Sequence, residues 1–228
     1  MRAMWTDVDD ILRLGERSAV ATAERRELLR LTAYAIAFAL LYGAVMGSYA
    51  GFSGRHSSDG LILQMVFSAI KAPLLLAATC LVSLPSFFIL NTLCGVRDDF
   101  AEAARAIAAT QAGVSVILAS LAPLTFVWYL TSLDYPAAIL FNATIFAVAS
   151  VAGQKLLRGH YRRLIARNRR HRVLMRVWLG LYAFVGIQMG WMLRPFIGSP
   201  DAAVEFLRKE PLDNAYIIVG RLIVGAFL

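Results

Sequence analysis

The sequence is poor in the residues that carry catalysis and bind metals. It contains only two cysteines and three histidines in 228 residues. His56, His160 and His171 lie far apart, and no group of Cys, His and carboxylate residues has the spacing of a metal site. No Gly-rich loop that could cradle a phosphate is present. We therefore expect no cofactor, no metal and no catalytic residues, and the sequence argues against an enzyme.

Charge is also absent from long stretches of the chain. Apolar residues make up 59% of the sequence, and several uncharged runs exceed about 18 residues. A hydrocarbon core of roughly 30 Å is crossed by about 20 helical residues. The runs do not alternate polar and apolar residues as barrel strands do. The sequence therefore predicts an all-α polytopic membrane protein with about five transmembrane helices.

The predicted spans divide the chain into three parts. Residues 1–30 form a cytosolic amphipathic segment, which either lies on the membrane or packs on the helices. Residues 31–193 form the transmembrane domain, and residues 194–228 form an external loop and a C-terminal membrane-associated segment. An earlier start near Leu61 is the alternative for the second span. The five spans are predicted at 31–51, 72–93, 107–130, 137–154 and 177–193.

Basic residues are distributed unequally between the two sides of these spans. If the N-terminus is cytoplasmic, 17 of the 23 Lys and Arg residues lie on the cytoplasmic side. The positive-inside rule therefore predicts a cytoplasmic N-terminus and a periplasmic C-terminus. The basic residues are almost all arginine and alanine is frequent, which favours a bacterial inner membrane.

Small residues recur every four positions along the first span. This spacing places them on one helix face and lets another backbone approach closely. The face either packs inside one molecule or forms the seam of a homo-oligomer. The fifth span has a shorter version of the pattern. The candidate helix-packing residues are Ala35, Ala39, Gly43, Gly47 and Gly51, with Gly186 and Gly190 in the fifth span.

The connection at 155–176 carries nine Lys or Arg residues and no acid. Apolar side chains recur at helical spacing within it, so we expect the fourth helix to continue and the chain to turn back near Asn168. Anionic lipid headgroups are the favoured partner. An acidic protein is the second, and nucleic acid is unlikely because aromatic residues are scarce. The candidate binding residues are Arg158, Arg162, Arg163, Arg167, Arg169, Arg170 and Arg172.

The predicted spans contain few polar groups that could form a transport path. No Asp or Glu lies inside a span, and Lys71 is placed near a span end, where it could reach the interface and pair with Asp134. Ser68 and Lys71 have the S-x-x-K spacing of a nucleophile and its base, but the companion motifs are absent. The uncharged polar residues most deeply placed are Gln111, Asn142 and Gln188. They either join helices by hydrogen bonds or line a small cavity.

Local residues add a family resemblance. Gly95, Phe100 and Ala104 in the second connection, and Pro123 in the third span, are similar to the pattern of bacterial Yip1-like membrane proteins. The resemblance extends over about residues 30–193, while the basic connection and the run at 194–201 depart from the family pattern. It implies a non-enzymatic membrane protein with a membrane-organising or partner-binding role.

Two functions follow as expectations. The first is a scaffold or accessory subunit of a membrane complex, which binds other membrane proteins or further copies of itself, and anionic lipid or acidic protein. The alternative is a channel or transporter for a neutral or apolar solute. In that case Pro85 and Pro123 would bend helices around a cavity lined by Gln111, Asn142 and Gln188.

Overall fold

A computed structural model of the chain describes residues 24–52, 58–198 and 203–207. Within these ranges all regular secondary structure is helical, which confirms the all-α prediction. Five helices are long and apolar enough to cross a membrane, as predicted for an integral membrane protein. The helices are α1 (Glu24–Gly47), α2 (Tyr49–Phe52), α3 (Ser58–Leu93), α4 (Phe100–Thr131), α5 (Tyr135–His160), α6 (Arg162–Arg167) and α7 (Arg170–Met192).

Two of the predicted segments fall largely outside the described residues. These are the amphipathic N-terminal segment before residue 24 and the C-terminal membrane-associated segment from residue 208 onwards. The predicted return of the chain near Asn168 agrees with the structure, because Asn168 follows the last residue of α6 and has an extended backbone.

The second span starts much earlier than the predicted Ala72. Helix α3 begins at Ser58 and is 36 residues long, so its length is about 54 Å at 1.5 Å per residue. The later boundary was predicted because Lys71 was assigned to an interface. In the structure Lys71 lies inside the helix and is buried, and it therefore does not end the apolar segment.

The long helices pack around α1. Helix α1 contacts both α3 and α4, while α5 packs on α4 and α7 packs on α3. We call the region of residues 94–99 and 155–176 the basic end of the bundle. The opposite region, with residues 49–52, 131–135 and 193–198, is the distal end. One apolar core lies near each end, centred on Phe87 and Trp178 at the basic end and on Tyr42 and Tyr129 towards the distal end.

The small residues of α1 are used inside the chain. A Cβ added at Gly43 would overlap the backbone oxygen of Ser68 and lie 2.9 Å from the Cα of Ala69. A Cβ at Gly47 would lie 2.8 Å from the backbone oxygen of Gln64. These contacts are with backbone atoms, which cannot rotate away. The glycines therefore permit α1 and α3 to approach more closely than any larger residue would allow.

The other small residues on the predicted faces make looser contacts. Gly51 lies against the side chain of Leu61, Ala39 is fully buried, and Ala35 packs with the core at α4. A Cβ at Gly186 would meet Thr79 at an ordinary distance of 3.4 Å, and one at Gly190 would lie 4.0 Å from Leu75. Glycine is therefore not required at these two positions of α7.

The surface of the bundle is rich in large apolar side chains. Exposed examples occur on each of the long helices, including Ile36, Leu81, Leu130, Leu140 and Phe184. A soluble monomer rarely exposes so much contiguous apolar surface. The exposure is expected for side chains that face lipid tails, and it agrees with the membrane assignment.

Candidate functional site

Lys71 is the only charged residue between Asp59 and Leu93, and it is fully buried. Its Nζ donates a hydrogen bond to the backbone oxygen of Pro195 at 2.7 Å. The same atom lies 5.0 Å from the ring centroid of Phe206, within the range of a cation–π contact. A carbonyl dipole and an aromatic face therefore stabilise the ammonium group.

The prediction that Lys71 pairs with Asp134 is wrong, and the Lys71 side chain is buried within the bundle. Its hydrogen-bond partner is the Pro195 carbonyl and not the carboxylate of Asp134. The segment that supplies this carbonyl is more than 120 residues away in the sequence, so no local pattern indicated it.

Two further side chains on the same face of α3 bind the same segment. Gln64, Ser68 and Lys71 are spaced by four and three residues, which places them on one side of the helix. Ser68 Oγ donates to the backbone oxygen of Phe196, and Gln64 Nε2 donates to that oxygen at 3.1 Å and to Ser68 Oγ at 3.0 Å. We call these three side chains and the Pro195 and Phe196 carbonyls the distal polar cluster.

The distal polar cluster satisfies backbone groups that have no helical partner. The chain leaves α7 after Met192, and residues 194–198 are not helical. Ile197 and Gly198 are buried, and a Cβ at Gly198 would lie only 2.9 Å from Gln64 Cγ and 3.1 Å from Ala50 Cβ. Buried carbonyls without partners would cost several kcal/mol in apolar surroundings. Residues 195–198 of the predicted external loop are therefore packed against the bundle.

The geometry also bears on the S-x-x-K spacing. The Ser68 hydroxyl and the Lys71 ammonium each donate to a backbone oxygen of the 195–196 segment. A base that activates a nucleophile must accept the proton of that nucleophile. The arrangement at Ser68 instead directs the hydroxyl proton to the Phe196 carbonyl, as a structural contact does.

The uncharged polar residues of the spans join helices. Asn142 on α5 donates to the hydroxyl of Tyr129 at 2.6 Å and accepts from the hydroxyl of Tyr42 at 3.2 Å. Gln111 on α4 accepts from the hydroxyl of Tyr182 on α7 at 2.9 Å. Gln111 thus joins α4 to α7, whereas Asn142 joins α5 to α4 and α1. The third predicted residue, Gln188, has a buried Oε1 that lacks a hydrogen-bond partner among the described residues.

At the basic end, Arg167 at the end of α6 and Arg170 and His171 at the start of α7 bind the connection between α3 and α4 and the first turn of α4. Arg167 contacts Asp99 at 2.7 Å and Glu102 at 3.1 Å. His171 is fully buried, and its Nε2 lies 2.9 Å from the second carboxylate oxygen of Asp99. Arg170 donates to the backbone oxygen of Cys94 at 2.6 Å. We call this set the basic-end cluster.

The predicted arginine site is therefore divided in two. All of the candidates are exposed, and Arg167 and Arg170 differ in that they bind the connection between α3 and α4. Buried Tyr161 and Leu164 anchor the intervening residues on the core of the basic end. Across the described part of the chain, four exposed candidates form no ion pair with another described residue. These are Arg158, Arg162, Arg169 and Arg172.

Asp99 gives the basic-end cluster a pH dependence. The hydrogen bond from His171, and then those from Arg167, hold the pKa of the Asp99 carboxyl below its usual value. Because the folded pKa is depressed, the stabilisation is complete above the ordinary aspartate pKa of about 3.9 and is lost as the pH falls below it. We expect Asp99→Asn to melt below the parent at pH 7 in detergent, with a difference that shrinks below about pH 4. The neighbouring exposed Asp98→Asn is the control, and equal melting of the two variants at pH 7 would contradict the role of Asp99.

The five apolar helices and the two polar clusters define an all-α polytopic integral membrane protein. No protein-family model, curated protein or solved structure matches the chain. The Yip1-like resemblance therefore stays a prediction from the sequence.

Proposed function

We propose that this chain is a non-enzymatic scaffold or accessory subunit of a membrane protein complex. The observation that carries the proposal is the fixed basic end, where Arg167, Arg170 and His171 bind the chain's own connection while Arg158, Arg162, Arg169 and Arg172 stay exposed. A folded surface with exposed arginines is suited to binding anionic partners. Under this proposal the basic end faces the cytoplasm at a bacterial inner membrane, and the distal end faces the periplasm.

The internal contacts support a binding role over a transport role. The polar side chains at Asn142 and Gln111 are engaged in hydrogen bonds between helices. Lys71, the one charged group deep within α3, binds a carbonyl of the same chain. A channel or transporter for a neutral or apolar solute is the alternative, and it would need these groups to face a common path. A membrane-organising role is also what the Yip1-like resemblance implies.

Partner helices would have to contact the lipid-facing sides of the bundle. The face of α1 that carries Gly43 and Gly47 is already filled by α3. A homo-oligomer or a complex with other membrane proteins would therefore use exposed apolar side chains such as Leu81 and Leu140. This is a different surface from the one that the small-residue pattern indicated.

The test is the native mass of the tagged protein, extracted from its own membrane with surrounding lipid. We expect a discrete species well above 25.0 kDa, with a fixed copy number or co-purifying polypeptides. A double variant, Arg162→Glu with Arg169→Glu, should lose a partner bound at the basic end without a lower melting temperature. Arg30→Glu, at an exposed arginine on α1, is the matched control. A lone 25 kDa parent species that conducts a solute in liposomes would favour the transporter.

A further inference from the structure

The exposed side of α7 carries apolar side chains and, near the basic end, arginines as well. Phe184 and Val177 are exposed on the outer side of the helix, as is Val173, of which 60% is accessible. Arg176 and Arg172 are exposed at the positions directly before these two valines. Arg172 and Arg176 are four residues apart and share one face, and Val173 and Val177 share the adjoining face about 100° away, so that these residues form one exposed side of α7. Arginines and exposed aliphatic side chains are thus interleaved at the same level.

Helix α5 repeats this arrangement. Val148 and Val151 are each at least half exposed, and Lys155 and Arg158 continue the same face at spacings of four and three residues. The exposed side of α5 therefore changes from aliphatic to cationic within two helical turns. We call Lys155 with Arg158, and Arg172 with Arg176, the two cationic strips.

The exposed valines next to these cations indicate the depth at which the cations lie relative to a bilayer. Exposed valines beside the arginines favour a position next to acyl chains or the headgroup boundary, where guanidinium groups can extend to the polar layer. Phosphate is the anion found at that level, and a guanidinium can bind it with two hydrogen bonds.

Within the described ranges of the chain, no acidic side chain forms an ion pair with the strips. No Asp or Glu occurs between residues 155 and 176. At this end of the bundle, Asp99 and Glu102 are occupied by Arg167, and Asp99 also by His171. The internal cluster thus engages Asp99 and Glu102 while Asp98 stays exposed, and the four cations of the strips form no ion pair with another described residue.

We infer that the two cationic strips bind the phosphate groups of anionic phospholipids at the edge of the membrane. The inference rests on the proposed function, because it names anionic phospholipid as the partner of part of the basic end. An acidic protein, by contrast, would be met at the tip of the bundle, by Arg162 and Arg169. The two sources of negative charge therefore select different residues.

The experiment measures lipids retained by the full chain in detergent, with phosphatidylglycerol as the anionic probe and phosphatidylcholine as the neutral one. We expect the parent to retain phosphatidylglycerol preferentially. Replacing Lys155, Arg158, Arg172 and Arg176 together by glutamine should weaken that binding at least about tenfold, since each basic residue near an anionic surface contributes to attraction. The control variant, Arg162→Gln with Arg169→Gln, should retain at least half of the parent's phosphatidylglycerol affinity.

Equal retention of the two lipids by the parent would overturn the inference, as would parent-like binding by the fourfold variant. If the fourfold variant melts at a lower temperature than the parent, the test is the salt dependence of phosphatidylglycerol binding by the parent. Binding to phosphate must weaken between low and high salt, and binding that does not weaken would overturn the inference. If the fourfold variant lost a protein partner but retained phosphatidylglycerol as the parent does, the inference would be overturned in favour of an acidic protein. A lone 25.0 kDa chain that still prefers phosphatidylglycerol would support the inference and contradict the proposed function.

Discussion

Gly43→Ala is expected to lower the stability of the protein more than any other single-methyl change discussed here. The new Cβ would overlap the backbone oxygen of Ser68 and stand 2.9 Å from the Cα of Ala69. Because neither backbone atom can rotate away, α1 and α3 must separate along their contact. Overpacking of this kind costs on the order of 1–3 kcal/mol, and we expect the upper end or beyond.

The matched control is Gly180→Ala on α7. A Cβ at Gly180 would meet nothing within 4 Å, and alanine is a better helix former than glycine by about 1 kcal/mol. Gly180→Ala should therefore melt at or above the temperature of the parent in detergent, and Gly43→Ala well below it. Gly186→Ala should fall close to the control because its contact with Thr79 is ordinary. If Gly43→Ala melted with the parent, close packing of α1 on α3 would be disproved.

The features that could be predicted from the sequence are those that depend on lipid and on local periodicity. Five apolar helices follow from the cost of unpaired backbone groups in a bilayer, which acts on every segment separately. The chain reversal near Asn168 follows from a polar break between two helical patterns. These inferences need no knowledge of which helix contacts which.

The start of α3 at Ser58 agrees with the alternative near Leu61 and not with the favoured boundary at Ala72. Lys71 is a strong local signal for the end of an apolar run, and the rule that charged residues lie at interfaces placed it there. The rule fails because a distant segment provides the Pro195 carbonyl and the Phe206 ring. A signal was nevertheless present, since the residues from Leu61 to Ile70 are nearly as apolar as those that follow.

The division of the basic segment was also hidden from the sequence. Nine cations without an acid indicate an anionic partner, but they do not show that part of this partner is the chain itself. Asp99 and Arg167 are 68 residues apart, and only the packing of α4, α6 and α7 brings them together. The acids nearest to the same end, Asp99 and Glu102, were the available clue, although acids at a helix start are also explained by the helix dipole.

The two polar clusters together attach α7 to α3 at both ends. At the basic end, Arg170 at the start of α7 binds the Cys94 carbonyl just after α3. At the distal end, the segment after α7 is bound by Lys71 and Ser68. Between them, α7 packs on α3 through Phe87 and Trp178, and the contact around Gly186 has an ordinary distance. The polar contacts at the two ends add to this packing, so we expect a large effect from a substitution in the distal polar cluster.

Lys71→Glu is expected to release the segment after α7. The introduced carboxylate would face the Pro195 carbonyl oxygen and the ring of Phe206, both of which are electron-rich. Leaving a buried charge without a favourable partner costs about 3–5 kcal/mol. Lys71→Met should be milder, at about 1–3 kcal/mol, because it leaves an unpaired carbonyl but introduces no repulsion.

Two measurements test this order of effects. Melting in detergent should fall from the parent to Lys71→Met and further to Lys71→Glu, while Lys155→Glu, at an exposed lysine of α5, should stay near the parent. In a background that lacks Cys80 and Cys94, maleimide labelling of Ile197→Cys should be slow in the parent because Ile197 is buried. It should become fast with Lys71→Glu, since the Pro195 carbonyl loses its donor and faces a carboxylate. Slow labelling and parent-like melting of Lys71→Glu would show that Ser68 and Gln64 hold the segment without the ammonium group.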